Sequence, residues 1–369
     1  MKTLESILNP ISVNEFLTNN WCKVPLFLSK NDTYVNNLIT MDEIGDLLDS
    51  EILIYPFLRM VGGGAELNRD LYTASSISVM QTLDRGKILD LFNKGNTIVL
   101  QSPNLYFPKL DRLLEDISRE LGMRVHTNIY ITPANSKGFD PHVDPHEVFV
   151  LQVYGSKVWN LYDIPYESPT KSIMLTNADK ERYKSGPTHA INLQANDILY
   201  VPCGVVHDAY TTDSPSIHIT LGLHPLRKID ILEKFVKEAE QHPFFRKSFF
   251  PIQDEFNSNE SFNDLIHEST KLLEDIVATC NKERNLNLEQ ERFSGVFRNT
   301  LAIDSVNTVD DINTFLQNHS KDSQYQQQVN DLMQAIESGK LSNANAATMG
   351  KIKFKLKDMV KQGSLQMEH

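Results

Sequence analysis

Apolar residues follow two different rhythms along this chain, and the rhythms occupy different regions. In MDEIGDLLDS, Met41, Ile44, Leu47 and Leu48 recur at helical spacing, so 41–50 is predicted as an amphipathic helix. SVMQTLDRGKILDLFNKG (78–95) and FPKLDRLLEDISRELG (107–122) repeat that rhythm, and each ends at a glycine suited to a helix stop. VNEFLTNNW is a shorter amphipathic piece, whereas WCKVPLFL, EILIYPFLRMV (51–61) and NTIVLQ read as extended. From Val125 to about Leu226 the period shortens. VHTNIYITP, EVFVLQVYG, KVWNLYD, HAINLQ, DILYVP and SIHITLGLHP are short β-branched and aromatic runs between turn residues. Several short strands at close spacing indicate an antiparallel sandwich or barrel. After Pro225 the helical rhythm returns in DILEKFVKEAEQH and SFNDLIHESTKLLEDIVATCNKERN, and the fold class is α+β. KIKFKLKDMVKQG followed by SLQ fits the end of a winged helix or a plain helical cap equally well.

Composition narrows this only slightly. Apolar residues make up 40% of 369, enough for a sizeable core. The net charge of −12 argues against a surface built to bind nucleic acid, and the lysine-rich stretch 340–362 reads as a solvated face. Three widely spaced cysteines form no disulfide framework and suit a reducing compartment. The start lacks a signal-peptide core, and no apolar run approaches the ~18 residues of a membrane span. A cytoplasmic protein is the expectation.

The candidate chemistry lies in the β-rich region. Positions i and i+2 of an extended segment share a face, so His142 and Asp144 in HVDPHEVFV aim an imidazole and a carboxylate the same way. His207, in NDILYVPCGVVHDAY, adds a second imidazole from elsewhere. Two histidines and one carboxylate on one face of an octahedral ion leave three positions open, which suits Fe(II) that must also hold a co-substrate and O2. Alone, an HxD triplet is common and its default is a solvent-facing pair. Lys157, placed after a Tyr154-Gly155-Ser156 turn, offers a cation for the far carboxylate of 2-oxoglutarate. Asn128 and Tyr130, again i and i+2, offer polar contacts along the same barrel face. A lysine on a hairpin is ordinarily solvated and a tyrosine on a strand is ordinarily core, so the bland readings stand beside these. A turn at Pro145 is expected to break the alternation before His146, which is therefore not read as a ligand. His218 reads as a core histidine near the site, and His126, His189 and His224 receive no role.

The stretch from NIYITPANSKGFDPHVDPHEVFVLQVYGSKVWNLY to ILYVPCGVVHDAYTTDSPSIHITLGLHP resembles the JmjC-type ribosomal oxygenases, a group with the cupin fold. The resemblance implies a double-stranded β-helix (jelly-roll) core with an N-terminal α/β elaboration over 1–226, a helical dimerisation segment over 227–300 and a winged-helix-like domain over 301–369. It implies Fe(II) on His142, Asp144 and His207, with 2-oxoglutarate and O2 as co-substrates. Lys157 would pair the co-substrate carboxylate, with Asn128, Tyr130 and Thr220 lining the same pocket. Bacterial members that act on ribosomal arginine often carry an arginine in the role of Lys157; a lysine matches the histidine-modifying branch. The expected activity is hydroxylation of a C–H bond in a protein or peptide residue by a homodimer. N-methyl-lysine demethylation and a non-catalytic binding module are the alternatives. Loops 62–75 and 165–188 match nothing assignable, so the substrate does not follow from the fold.

Overall fold

The computed structural model describes residues 2–289, apart from 30–33, 51, 75–81, 171–174, 184–185 and 248–258. The protein divides into two compact units, Met1–Thr279 and Cys280–His369. The expected winged-helix-like domain lies outside the described residues. No described helix is long and apolar enough to cross a membrane.

The helices form where the apolar rhythm meets a stop signal. Among those preceding the barrel, α1 spans Lys2–Leu8, α2 Val13–Asn19, α3 Met41–Asp49, α4 Arg85–Asn93 and α5 Pro108–Leu121. Helix α3 opens on a reciprocal cap, with Glu43 N donating to Thr40 Oγ1 (3.1 Å) and Thr40 N donating to Glu43 Oε2 (2.8 Å). Helix α5 starts at Pro108 and stops at Gly122, whose φ of +60° is left-handed; it buries Leu110, Leu113, Leu114 and Ile117. Near its end Glu120 accepts from the backbone N–H of Thr3 and Leu4 (2.9 and 3.0 Å), closing the start of α1. Helix α4 begins at Arg85, capped by Asp84, so the helix expected over 78–95 is shorter; 78–81 lie outside the described residues.

The strands are β1 (Leu26–Leu28), β2 (Leu58–Gly62), β3 (Ala65–Glu66), β4 (Thr97–Gln101), β5 (Arg124–Thr132), β6 (Glu147–Leu161), β7 (His189–Gln194), β8 (Ile198–Val201), β9 (His207–Tyr210) and β10 (Ser216–His224). They pair antiparallel in the order β1-β8-β6-β10-β5-β4-β2-β3, and β7 and β9 flank the far half of β6. Two observations depart from the sequence reading. Of the described residues in 51–61 only 58–61 are strand, because Phe57 N closes a turn on Ile54 O (2.8 Å) around Pro56, which has no N–H to give a ladder. And EVFVLQVYG and KVWNLYD are one strand, not a hairpin. Strand β6 pairs β8 and β10 through its first half, bends, and pairs β7 and β9 through its second. The bend is Gly155, with φ +62°; a Cβ there would lie 1.8 Å from the carbonyl oxygen of Pro215.

This jelly-roll has two apolar layers. One joins the sheet's outer face (Phe149, Leu151, Ile129, Ile131, Ile219, Leu221) to the N-terminal helices. The other fills the barrel with Val148, Val150, Trp159, Leu161, Leu193 and Leu199. Glu147, 1% exposed, ties the N-terminal segment to the barrel: Cys22 Sγ donates to Oε1 (3.3 Å), while the Tyr200 hydroxyl and Cys203 N (3.2 Å) donate to Oε2. After the barrel's first strands come α6 (Asn177–Arg182, within the β6–β7 connection) and, past the last strand, α7 (Lys228–Gln241) and α8 (Asn259–Glu289).

Candidate active site

His142 and His207 face each other across an antiparallel bridge closed by two backbone hydrogen bonds, His142 N to His207 O (3.1 Å) and His207 N to His142 O (2.9 Å). Their ring centroids are 4.4 Å apart. The alternation expected for HVD holds. Val143 turns the other way and packs against Tyr162, Tyr183 and Val206, while His142 and Asp144 share the cleft. Gly204 N donates to Asp144 O (3.2 Å) and fixes the segment. One ligand atom from each of His142, Asp144 and His207 lies within 4.8 Å of the others, and His207 Nε2 is 3.6 Å from Asp144 Oδ2.

The tautomers follow from the backbone. His142 Nδ1 is 2.8 Å from Asp140 O, and His207 Nδ1 is 3.0 Å from Val205 O. A carbonyl only accepts, so each Nδ1 carries the proton and each Nε2 keeps a lone pair. Burial, with the nearby His142, pushes the His207 imidazolium down to about 4, so the ring is neutral at ordinary pH. Burial works against the Asp144 carboxylate, but the facing His207 and His142 more than offset it and hold its pKa below the usual range. Two imidazoles and one carboxylate converging on an open cleft are the donor set for an octahedral divalent ion with positions to spare.

The wall beside the triad is a strand ladder. On β5 and β10, Tyr130 pairs with His218 and Asn128 with Thr220. The Tyr130 and His218 rings stack at 4.8 Å and 5°. Burial pushes the Tyr130 phenol up to about 12, partly offset by hydrogen bonds with Asn128 and Thr220. Across the barrel Lys157, 3% exposed, donates from Nζ to Thr132 Oγ1 (2.9 Å), a hydroxyl that also accepts from Thr97 Oγ1 (3.1 Å). Among the described residues no carboxylate lies within ion-pair distance of Lys157. Burial alone brings its pKa down to about 7. The solvated-hairpin reading of Lys157 fails because Gly155 bends β6 and carries the side chain inward.

All seven expected residues line one cleft: His142, Asp144, His207, Lys157, Asn128, Tyr130 and Thr220. Thr132 was not foreseen, though it continues the alternation Asn128, Tyr130, Thr132. Trp159, two residues past Lys157 on the same face, was also missed; its ring stands 5.8 Å from His207 and 5.4 Å from His218. His146 does leave the triad, as the Pro145 turn suggested, but joins His126 and His224 in a second cluster.

The JmjC domain family matches residues 100–231, which hold the triad and the whole ladder. Residues 100–231 thus carry a JmjC domain. The protein is similar to ribosomal oxygenase 2 of Mus musculus, at 31% identity over 60% of this chain and 47% of that protein. It is also similar to the bifunctional lysine-specific demethylase and histidyl-hydroxylase NO66 of Drosophila yakuba, at 30% identity over 74% of this chain and 41% of that one. It therefore spans less than half the length of these curated relatives. Among solved structures, the Escherichia coli ribosomal oxygenase YcfD in complex with cobalt and 2-oxoglutarate shares the fold, with a TM-score of 0.55 at 14% identity over 98% of this chain and 99% of that one.

Proposed function

We propose that this JmjC protein is an Fe(II)- and 2-oxoglutarate-dependent oxygenase that hydroxylates a C–H bond in a residue of a protein or peptide. The observation that carries the reading is Lys157: a buried ammonium with no carboxylate partner among the described residues, on the same cleft as a two-histidine, one-carboxylate triad. An isolated buried cation is costly, and an entering carboxylate offsets that cost. YcfD has been solved with a metal and 2-oxoglutarate, which supports the same occupants here.

His142, Asp144 and His207 would hold the iron, and Lys157, with Thr132 steering its ammonium, would pair the far carboxylate of 2-oxoglutarate. Bound there, the pair supplies the oxygen chemistry: O2 delivers one oxygen atom to the substrate C–H and one to the succinate formed as CO2 leaves. The protein's part is positioning and exclusion of water. The carbonyls of Asp140 and Val205 lock both imidazoles with Nε2 toward the ion. Asn128 and Thr220 hold the Tyr130 hydroxyl as a fixed polar contact in the pocket. Trp159, 5% exposed, keeps the floor apolar.

Two assays test this. His142→Ala and Asp144→Ala should each reduce succinate formation to background; full turnover in both sinks the reading. Lys157→Ala should raise the 2-oxoglutarate requirement about 10- to 100-fold, the worth of one charge-assisted contact. N-methyl-lysine demethylation is the second reading, favoured by the double activity in the relative's name. Stoichiometric formaldehyde release would establish it in place of a stable gain of one oxygen.

A further inference from the structure

Three histidines that the triad does not use gather at one end of the same ladder. His126 lies on β5, His224 ends β10 and His146 immediately precedes β6. Those three strands are neighbours, and their register explains the meeting. His126 pairs with Gly222, His224 is two positions beyond Gly222 on the same face, and Leu223 pairs with Glu147, so His146 falls next in line opposite His224. Gly222 makes the room: a Cβ there would lie 2.0 Å from His126 Cε1. His126 Nδ1 is 2.8 Å from His224 Nε2, and the ring centroids are 5.0 Å (His126–His146), 4.9 Å (His126–His224) and 4.7 Å (His146–His224) apart. One ligand nitrogen from each ring lies within 4.8 Å of the other two.

We propose that His126, His146 and His224 form a second metal site, a three-imidazole seat for a divalent ion of the zinc class on the wall of the substrate cleft. Three neutral imidazoles suit a borderline-soft ion in tetrahedral geometry, with Zn–N bonds of about 2.0–2.1 Å and one position left open. Such bonds set the nitrogens about 3.3 Å apart, so the facing pair at 2.8 Å spreads by about half an ångström as the ion enters. Two ring nitrogens at that separation share one proton, and the metal replaces it. The open position has a direction. His126 and His146 line the cleft that also holds the triad, so water or a donor group on an incoming peptide completes the coordination. The site depends on no property of the triad beyond the shared fold.

The test is zinc stoichiometry on the full-length protein, stripped with a chelator and titrated with Zn(II) against a competing indicator. Wild type is expected to take two equivalents. His142→Ala/His207→Ala should retain one, and adding His224→Gln should lower the affinity of that remaining equivalent at least about tenfold. If the triple variant fails to fold by circular dichroism, His224→Gln alone carries the test, with two equivalents falling to one. A folded His142→Ala/His207→Ala protein that takes up no zinc overturns the proposal, as does an equivalent that ignores His224→Gln. A single wild-type equivalent lost with His224→Gln but indifferent to His142→Ala/His207→Ala would support this site while counting against the triad.

Discussion

A lysine buried with no counter-charge among the described residues is the most consequential single residue in this molecule. Lys157 titrates near 7 in the folded protein against an ordinary 10.5. Below pH 7 both folded and unfolded states carry the proton, and the full cost of burying the charge is present. Between 7 and 10.5 the folded state releases the proton while the unfolded state keeps it, so the cost shrinks as pH rises. Lys157→Met should therefore stabilise the protein by roughly 3–5 kcal/mol at pH 6, with the gain fading toward pH 10.5. Denaturant unfolding at both pH values checks this, and a gain independent of pH would show that the ammonium is not what costs. The triad residues and Lys157 were legible in the sequence because period-2 alternation aims side chains without knowledge of the fold. Thr132 and Trp159 obey the same alternation, yet a threonine and a tryptophan in a strand carry no chemical signal until a buried ammonium and an imidazole stand beside them.

At the scale of elements, β6 organises the site. One strand leaves the outer sheet, turns at Gly155 and delivers Lys157 and Trp159 into the barrel. Gly155→Ala would require a left-handed φ of an L residue and drive its Cβ into the Pro215 carbonyl oxygen. A loss of about 2–4 kcal/mol is expected. The same variant should weaken 2-oxoglutarate binding, because Lys157 is two residues away; a thermal melt and a co-substrate titration read the two effects separately. The sequence marks Gly155 as a turn and cannot show that pairing continues through it, since a hairpin and a bend between two sheets leave the same local signature. Helices are legible where caps and stops are explicit, as in α3 and α5. The gathering of His126, His146 and His224 was invisible because it depends on the register of three strands far apart in the sequence.

For the whole molecule, α7 follows the last barrel strand in the chain, with Ile229, Leu232 and Val236 exposed at 39%, 49% and 55% and spaced to form one stripe. The dimerisation expected for 227–300 has its test here. Light scattering should show a dimer, and Leu232→Asp/Val236→Asp should convert it to a monomer; an unchanged mass would place the interface elsewhere. Metal removal should leave the fold in place, with far-UV circular dichroism unchanged after chelation and any fall in Tm limited to the lost binding energy. The reason is the bridge between His142 and His207, whose two hydrogen bonds run from main chain to main chain and involve no ligand nitrogen. The bridge joins positions 142 and 207, a non-local contact of the kind expected to form late in folding. An ion held by the triad would then join a site whose backbone is already set, and refolding rates with and without added metal should agree. Its loss and return would then leave the backbone closed, and hydrogen exchange around positions 142 and 207 should be the same before and after chelation.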